Sequence, residues 1–254
     1  MFQLKAYFDY WIHAKGRHGT HSPYVYDFLD KCVTSKIPNE VKNEYVLYRK
    51  KLLQDKTKIT ITDLGAGSRK MGNQRMISEI AKNAGSKGKY GRLLYQLSNY
   101  YNPSLILELG TSLGLGTFML AKGNQDTKVV TIEACSTTLQ VAKDRLAEHQ
   151  LRNIEFINSS FQEFLTNEKR VFDVVFIDGD HRGRSLVEQL NLLDSISHDE
   201  TIFVLDDIRW SEDMYDTWKS IVQNEKYHLS MDLLRMGIIA KRKHQQKEHF
   251  IVKF

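Results

Sequence analysis

The sequence predicts an open, doubly wound, mostly parallel α/β sheet with a helical N-terminal extension, and three observations predict it. After Pro103 five short β-branched runs alternate with helical stretches. Before it, from residue 1 to about 102, the apolar pattern is mostly of helical period. The first of the five runs also ends in a glycine-rich turn that opens a helix. The runs are LILEL (105–109), VVTIE (129–133), IEFIN (154–158), FDVVFID (172–178) and TIFVLDD (201–207). Apolar on both faces, they suit central strands of a parallel sheet with helices on each side. Between them, STTLQVAKDRLAEH is expected as a helix capped by Ser136, with Leu139, Ala142 and Leu146 on one face. SEDMYDTWKSIVQ is expected as another, capped by Ser211, with Glu212 and Asp213 in the first turn and Met214, Trp218 and Ile221 inward. The tail, YHLSMDLLRMGIIAKRK and then HFIVKF, reads as terminal strands.

The N-terminal part carries FQLKAYFDYWI, then YVYDFLDKCV after a Ser22-Pro23 break, then YGRLLYQLSNYY, each with aromatic and aliphatic residues at helical spacing. These aromatics are expected in the core rather than as a base-stacking platform. Residues 1–84 are expected as the extension or lid and 85–254 as the sheet domain.

With 254 residues, 41% of them hydrophobic and 26% charged, the chain is long enough for one large core and an appendage. Two cysteines cannot build a disulfide framework, which points to the cytoplasm. No apolar run approaches membrane-spanning length, and the charged first thirty residues argue against a signal peptide. The net charge of +5 gathers in RKKLLQDKTK (49–58) and KRKHQQK (241–247), which read as solvated surface before they read as a nucleic-acid footprint.

Two stretches look alike, ITDLGAGS (61–68) and LILELGTSLGLG (105–116). A nucleoside-binding βαβ unit needs a strand, a glycine-rich turn opening a helix, and an acid ending the next strand about 20 residues on. The segment after ITDLGAGS is expected to contain no second strand and no strand-ending acid. LILELGTSLGLG precedes KVVTIEA, whose Glu133 closes a strand 23 positions after Gly110. Gly110, Gly114 and Gly116 give G-x-x-x-G-x-G rather than the dinucleotide fingerprint G-x-G-x-x-G. That spacing suits a nucleoside with a short zwitterionic tail, its carboxylate near backbone N–H groups of the turn and helix start.

ELGTSLGLGT, TIEA, SSFQEF, FDVVFIDGDH and FVLDDIRW, in this order, resemble the successive motifs of class I S-adenosylmethionine-dependent methyltransferases, and are most similar to the catechol and caffeoyl-coenzyme A O-methyltransferases. HGTHSPYVYDF and ITDLGAGSR also resemble a group of bacterial methyltransferase-like proteins. The resemblance covers about residues 85–240. It implies a seven-stranded Rossmann-like methyltransferase sheet, S-adenosylmethionine as cofactor, and methyl transfer to an oxygen of a small-molecule acceptor. It further implies that Gly110, Thr111, Ser112 and Gly114 line the methionine tail with Glu108 supporting the loop. Glu133, with Ala134 beside it, would bind the ribose. Ser160 and Phe161 would meet the adenine, unless they are only a helix cap and core. Asp178 would sit near the amino-acid end, and Tyr90 and Gly91 would close the pocket from above.

The fourth and fifth runs end in acids, Asp178 and Asp180 with His181, then Asp206 and Asp207. Clustered charge beside buried strands needs compensation. The resemblance implies a metal on Asp178, Asp206 and Asp207, the last usually Asn, and three carboxylates suit Mg, Ca or Mn. Alternatively, Asp206 and Asp207 cap the next turn and Asp178 orients the cofactor. His181 matches the position of the family's catalytic Lys, and a His, with an intrinsic pKa near ~6.5, suits a general base. Catalytic roles are therefore expected for His181 and Asp178. His13, His18 and His21 have no such setting, and HGTHSP reads first as a turn. A base-amine methyltransferase is excluded by the absence of Asn/Asp-Pro-Pro, since the only prolines are Pro23, Pro38 and Pro103. RNA ribose methylation and a non-catalytic S-adenosylmethionine-binding role stay open, as does a homodimer.

Overall fold

A computed structural model describes residues 2–16, 21–62, 73–83 and 88–254. The ITDLGAGS segment from residue 63 onward, and His18 of HGTHSP, lie outside the described residues.

The N-terminal part is helical as its period predicts: α1 (Phe2–His13), α2 (Pro23–Phe28) running into a π-helical turn (Leu29–Thr34), α3 (Asn39–Gln54), α4 (Ile77–Asn83) and α5 (Lys89–Tyr101). Pro23 opens α2, where a missing N–H costs nothing. Asn102, left-handed at φ 47°, ends α5 just ahead of Pro103. One expectation fails here. The sequence after ITDLGAGS does form a strand: β2 (Asn73–Met76) pairs antiparallel with β1 (Lys58–Ile61), Ile59 opposite Arg75. The polar NQRM lacks the β-branched signature, and only its partner makes it a strand.

The sheet domain contains β3 (Leu105–Leu109), α6 (Leu115–Gly123), β4 (Lys128–Glu133), α7 (Ser136–Ala147), β5 (Ile154–Asn158), α8 (Phe161–Asn167), β6 (Phe172–Ile177), α9 (Gly183–Leu192), β7 (Ser197–Leu205), α10 (Glu212–Gln223), β8 (Leu229–Leu233), β9 (Met236–Ala240) and β10 (Glu248–Ile251). The strand order is β10-β8-β9-β7-β6-β3-β4-β5. All pairs are parallel except those of β9 with β7 and β8. The sheet is thus mostly parallel and Rossmann-like, with eight strands where the resemblance implies seven, because β10 adds itself in parallel to β8.

Alternation along the strands divides the core. Ile106 packs with Phe118 of α6 and Tyr48 of α3 on one face, while Leu107 and Leu109 pack with Leu186 and Leu190 of α9 on the other. Each fully buried side chain of this size contributes roughly 1.5–3 kcal/mol. β5 is only half-buried because it is the edge strand. Ser211 caps α10, accepting from the Met214 N–H at 3.1 Å, and Met214, Trp218 and Ile221 are buried as their spacing predicts. Ser136 does not cap α7. It is already helical, Cys135 holds the cap position, and the Cys135 N–H is taken by Glu133 at 3.0 Å. Among the described residues no helix is long and apolar enough to cross a membrane.

Candidate active site

In an open α/β sheet, ligands gather beyond the carboxyl ends of the strands where the winding reverses. Here the chain winds outward from β3 to β4 and β5 on one side, and to β6 and β7 on the other, so the switch lies between β3 and β6. Gly110 follows β3 at that point with φ +108°, and a Cβ there would lie 2.4 Å from the Asp178 carbonyl oxygen. Only glycine lets the two strand ends approach so closely. The turn is then tied back to β4, because the N–H groups of Gly110 and Thr111 both donate to the Ile132 carbonyl, at 3.0 and 3.2 Å. From the N-terminal side, Tyr48 donates to the Leu113 carbonyl at 2.6 Å, so α3 braces the same loop.

Below the turn Glu108 is fully buried. Its Oε2 accepts from Thr117 and, at 2.6 Å, from Thr131, which in turn shares a 2.6 Å hydroxyl contact with Thr111. This links β3, β4, α6 and the turn. Burial pushes the Glu108 carboxyl up to about 7, against the opposing effect of its threonine donors. Glu133, at the end of β4, accepts the Ser112 N–H on Oε2 at 2.9 Å and the Cys135 N–H on Oε1 at 3.0 Å. The acid that ends the second strand and the glycine turn that ends the first are therefore in direct contact.

Asp178, Asp206 and Asp207 come together as the sequence suggests, but their compensation comes from a residue that sequence reasoning missed. Arg235, in the two-residue turn between β8 and β9, donates to Asp206 through Nε at 2.9 Å and a terminal nitrogen at 2.8 Å, and lies 2.9 Å from Asp207. Burial, followed by the charges of Asp206 and Asp207, drives the Asp178 carboxyl well above the usual carboxylate range. Burial and Asp206 raise Asp207 as well, with Arg235 opposing. Among the described residues no group of three or more His, Cys, Asp and Glu side chains is arranged to hold a metal ion.

His181 is held by the loop after β6. Arg182 clamps Asp180 with two 2.6 Å bonds, and the Gly183 N–H donates to Asp213 at 2.7 Å. The His181 ring is half-buried, with Nε2 3.7 Å from Asp207 and its centroid 5.8 Å from that of the exposed Trp210.

These groups line a cavity of about 200 Å³: Gly110, Thr111, Ser112, Asp178, His181, Asp207 and Arg235 from the sheet side. Arg75, Glu79, Ile80 and Asn83 of β2 and α4 line it as well, four residues with no motif to mark them in the sequence. Other expected residues stand back from it. Gly114 shapes the turn at φ +75° under Leu146. Tyr90 donates to the Leu233 carbonyl at 3.3 Å with its ring under the Arg235 guanidinium, and Gly91 is buried within α5. Ser160 caps α8, accepting from the Glu163 N–H at 3.2 Å. Phe161 packs on the Gly179 backbone, and the Ala134 carbonyl accepts from Asn158 at 3.1 Å.

Residues 107–208 match the family of methyltransferase domains. The matched segment contains the glycine turn, Glu133, Asp178, His181 and both acids after β7. Over 126 residues the chain is 27% identical to the O-methyltransferase hkm8 of Aspergillus hancockii, covering 47% of this chain and spanning half the length of that relative. A methyltransferase of Podospora anserina with S-adenosylhomocysteine bound superposes with a TM-score of 0.59 at 13% identity, over 87% of this chain and 97% of that one. An O-methyltransferase of Bacillus cereus, also in complex with S-adenosylhomocysteine, gives 0.52 at 17%, over 85% and 96%. At such identities these structures establish the fold alone.

Proposed function

We propose that this protein is an S-adenosylmethionine-dependent methyltransferase that acts on an oxygen of a small-molecule acceptor. The contact between Glu133 and the Gly110 turn carries the reading. It brings an acid suited to a ribose diol into contact with a backbone turn suited to an amino-acid tail, and that turn lines the cavity. The two Glu133 oxygens accept the Ser112 and Cys135 N–H groups, and a carboxylate is the kind of acceptor a sugar hydroxyl needs. The Bacillus cereus and Podospora anserina enzymes, solved with the demethylated cofactor, and the O-methyltransferase from Aspergillus support the same assignment.

When bound, S-adenosylmethionine supplies an electrophilic methyl on sulfur. This chain's residues align the acceptor and take its proton. Alignment alone is worth up to about 7–11 kcal/mol in ideal cases. His181 accepts the proton of the acceptor hydroxyl, and Asp207 beside its Nε2 stabilises the resulting imidazolium. Asp178, its carboxyl pushed up by burial and by Asp206 and Asp207, lines the same cavity as His181. A divalent cation does not fit the three carboxylates as they stand. The Arg235 guanidinium already neutralises Asp206 and Asp207, and no step is routed through a metal. Two free, buried cysteines support the cytoplasm as part of this proposal.

The test is calorimetry with S-adenosylhomocysteine followed by turnover of S-adenosylmethionine on a panel of phenols and carboxylates. Binding with turnover is expected. Binding without turnover on small molecules or RNA would make the protein a cofactor-binding scaffold, and absence of binding would reject the assignment.

A further inference from the structure

We infer that Arg75 and Glu79 hold the amino-acid end of the methyl donor, the guanidinium on its α-carboxylate and the Glu79 carboxylate toward its α-ammonium. The inference rests on the methyltransferase reading and deepens it by giving a binding role to the N-terminal ribbon.

Charge balance around the cavity points there. On the sheet side the Arg235 guanidinium is already engaged by Asp206 and Asp207. Arg75, which lines the same cavity, has no carboxylate partner among the described residues. Glu79 uses one oxygen to accept the Met76 N–H at 3.1 Å and, among the described residues, meets no cation. The two face the same cavity with opposite charge, yet no ion pair joins them. Opposite charges that line one cavity without neutralising each other complement a ligand carrying both signs at one end. A guanidinium fork matches a carboxylate through two parallel bonds.

Position supports the match. Arg75 lines the same cavity as the Gly110–Ser112 turn, whose Ser112 N–H is bonded to Glu133. A donor whose ribose sits on Glu133 therefore extends its tail between that turn and Arg75. The ribbon that carries Arg75 is also well supported. Thr137 of α7 donates to the Thr60 carbonyl. The N–H groups of Ile77 and Ser78 donate to the carbonyls of Thr57 and Asp55 at 3.0 and 2.9 Å, and Asp55 pairs with Arg145 of α7 at 2.7 Å. Arg75 is thus fixed to the segment that immediately follows Glu133.

Two probes differing only at this end provide the test: S-adenosylhomocysteine, which has the zwitterionic tail, and 5′-methylthioadenosine, which lacks it. By calorimetry, Arg75→Gln is expected to weaken S-adenosylhomocysteine about ten- to a hundredfold while leaving 5′-methylthioadenosine unchanged, with Arg75→Lys intermediate. Glu79→Gln is expected to show the same selectivity to a smaller degree. An equal loss for both probes, as from damage to the fold, or no loss for either, overturns the inference while leaving the methyltransferase reading intact. A wild-type protein that binds neither probe overturns both.

Discussion

Arg235 sets its Nε 2.9 Å from Asp206 and 2.9 Å from Asp207, so one guanidinium in a hairpin turn serves two carboxylates at the end of another strand. Removing it leaves partly buried acids without a counter-charge. Arg235→Met is expected to destabilise the protein by about 3–5 kcal/mol at pH 8. Without the guanidinium the folded-state carboxyls bind protons more readily, so the deficit is expected to shrink toward pH 5, where they are neutralised. Urea unfolding at the two pH values checks this. An equal deficit at both would mean that Arg235 acts through packing. In the same frame, turnover is expected to survive excess EDTA.

Glu108 gives a pH dependence of defined sign. Its carboxyl rises from an ordinary 4.5 to about 7 on folding, so the folded chain keeps a proton that the unfolded chain has lost. Stability from this group is full below about pH 4.5, falls as pH rises, and levels off near pH 7, for a total of roughly 3 kcal/mol. Glu108→Gln retains an acceptor for Thr117 and Thr131 and cannot ionise. It is expected to flatten the unfolding free energy over this range and to be more stable than wild type at pH 8.

Gly110→Ala puts a methyl group 2.4 Å from the Asp178 carbonyl at a φ of +108°, and relief requires parting the ends of β3 and β6. A stability loss of about 1–3 kcal/mol or more is expected, together with loss of S-adenosylhomocysteine binding. Chemical denaturation and calorimetry measure the two.

Glu133→Gln keeps one oxygen acceptor for the Ser112 or Cys135 N–H, whereas Glu133→Ala keeps none. Both are expected to lose S-adenosylhomocysteine affinity, by about tenfold or more for Gln and further for Ala, with the far-UV spectrum unchanged. Affinity equal to wild type in the Ala variant would count against the cofactor assignment.

His181→Ala is expected to lower kcat by about a hundredfold or more while leaving S-adenosylhomocysteine affinity within about twofold. A stopped-time methylation assay beside calorimetry separates the two effects. Normal turnover would remove His181 as the base.

The sheet and half of the site are legible along the chain. The five runs from LILEL to TIFVLDD recur as β3 to β7 with ends shifted by a few residues, because strands buried on both faces must be apolar throughout and leave a continuous β-branched record. Gly110, Glu133, Asp178 and His181 are legible for a related reason. A strand end and the turn after it are adjacent in sequence, so their chemistry is local and patterned. Folding alone brings Arg235 to Asp206 and Asp207, through the antiparallel insertion of β9 between β7 and β8, and Arg75 and Glu79 to the Gly110 turn, through a polar ribbon docked on α7. Those partners are joined by long-range charge and by strand pairing, which fix distance in space and leave no period, spacing or composition along the chain.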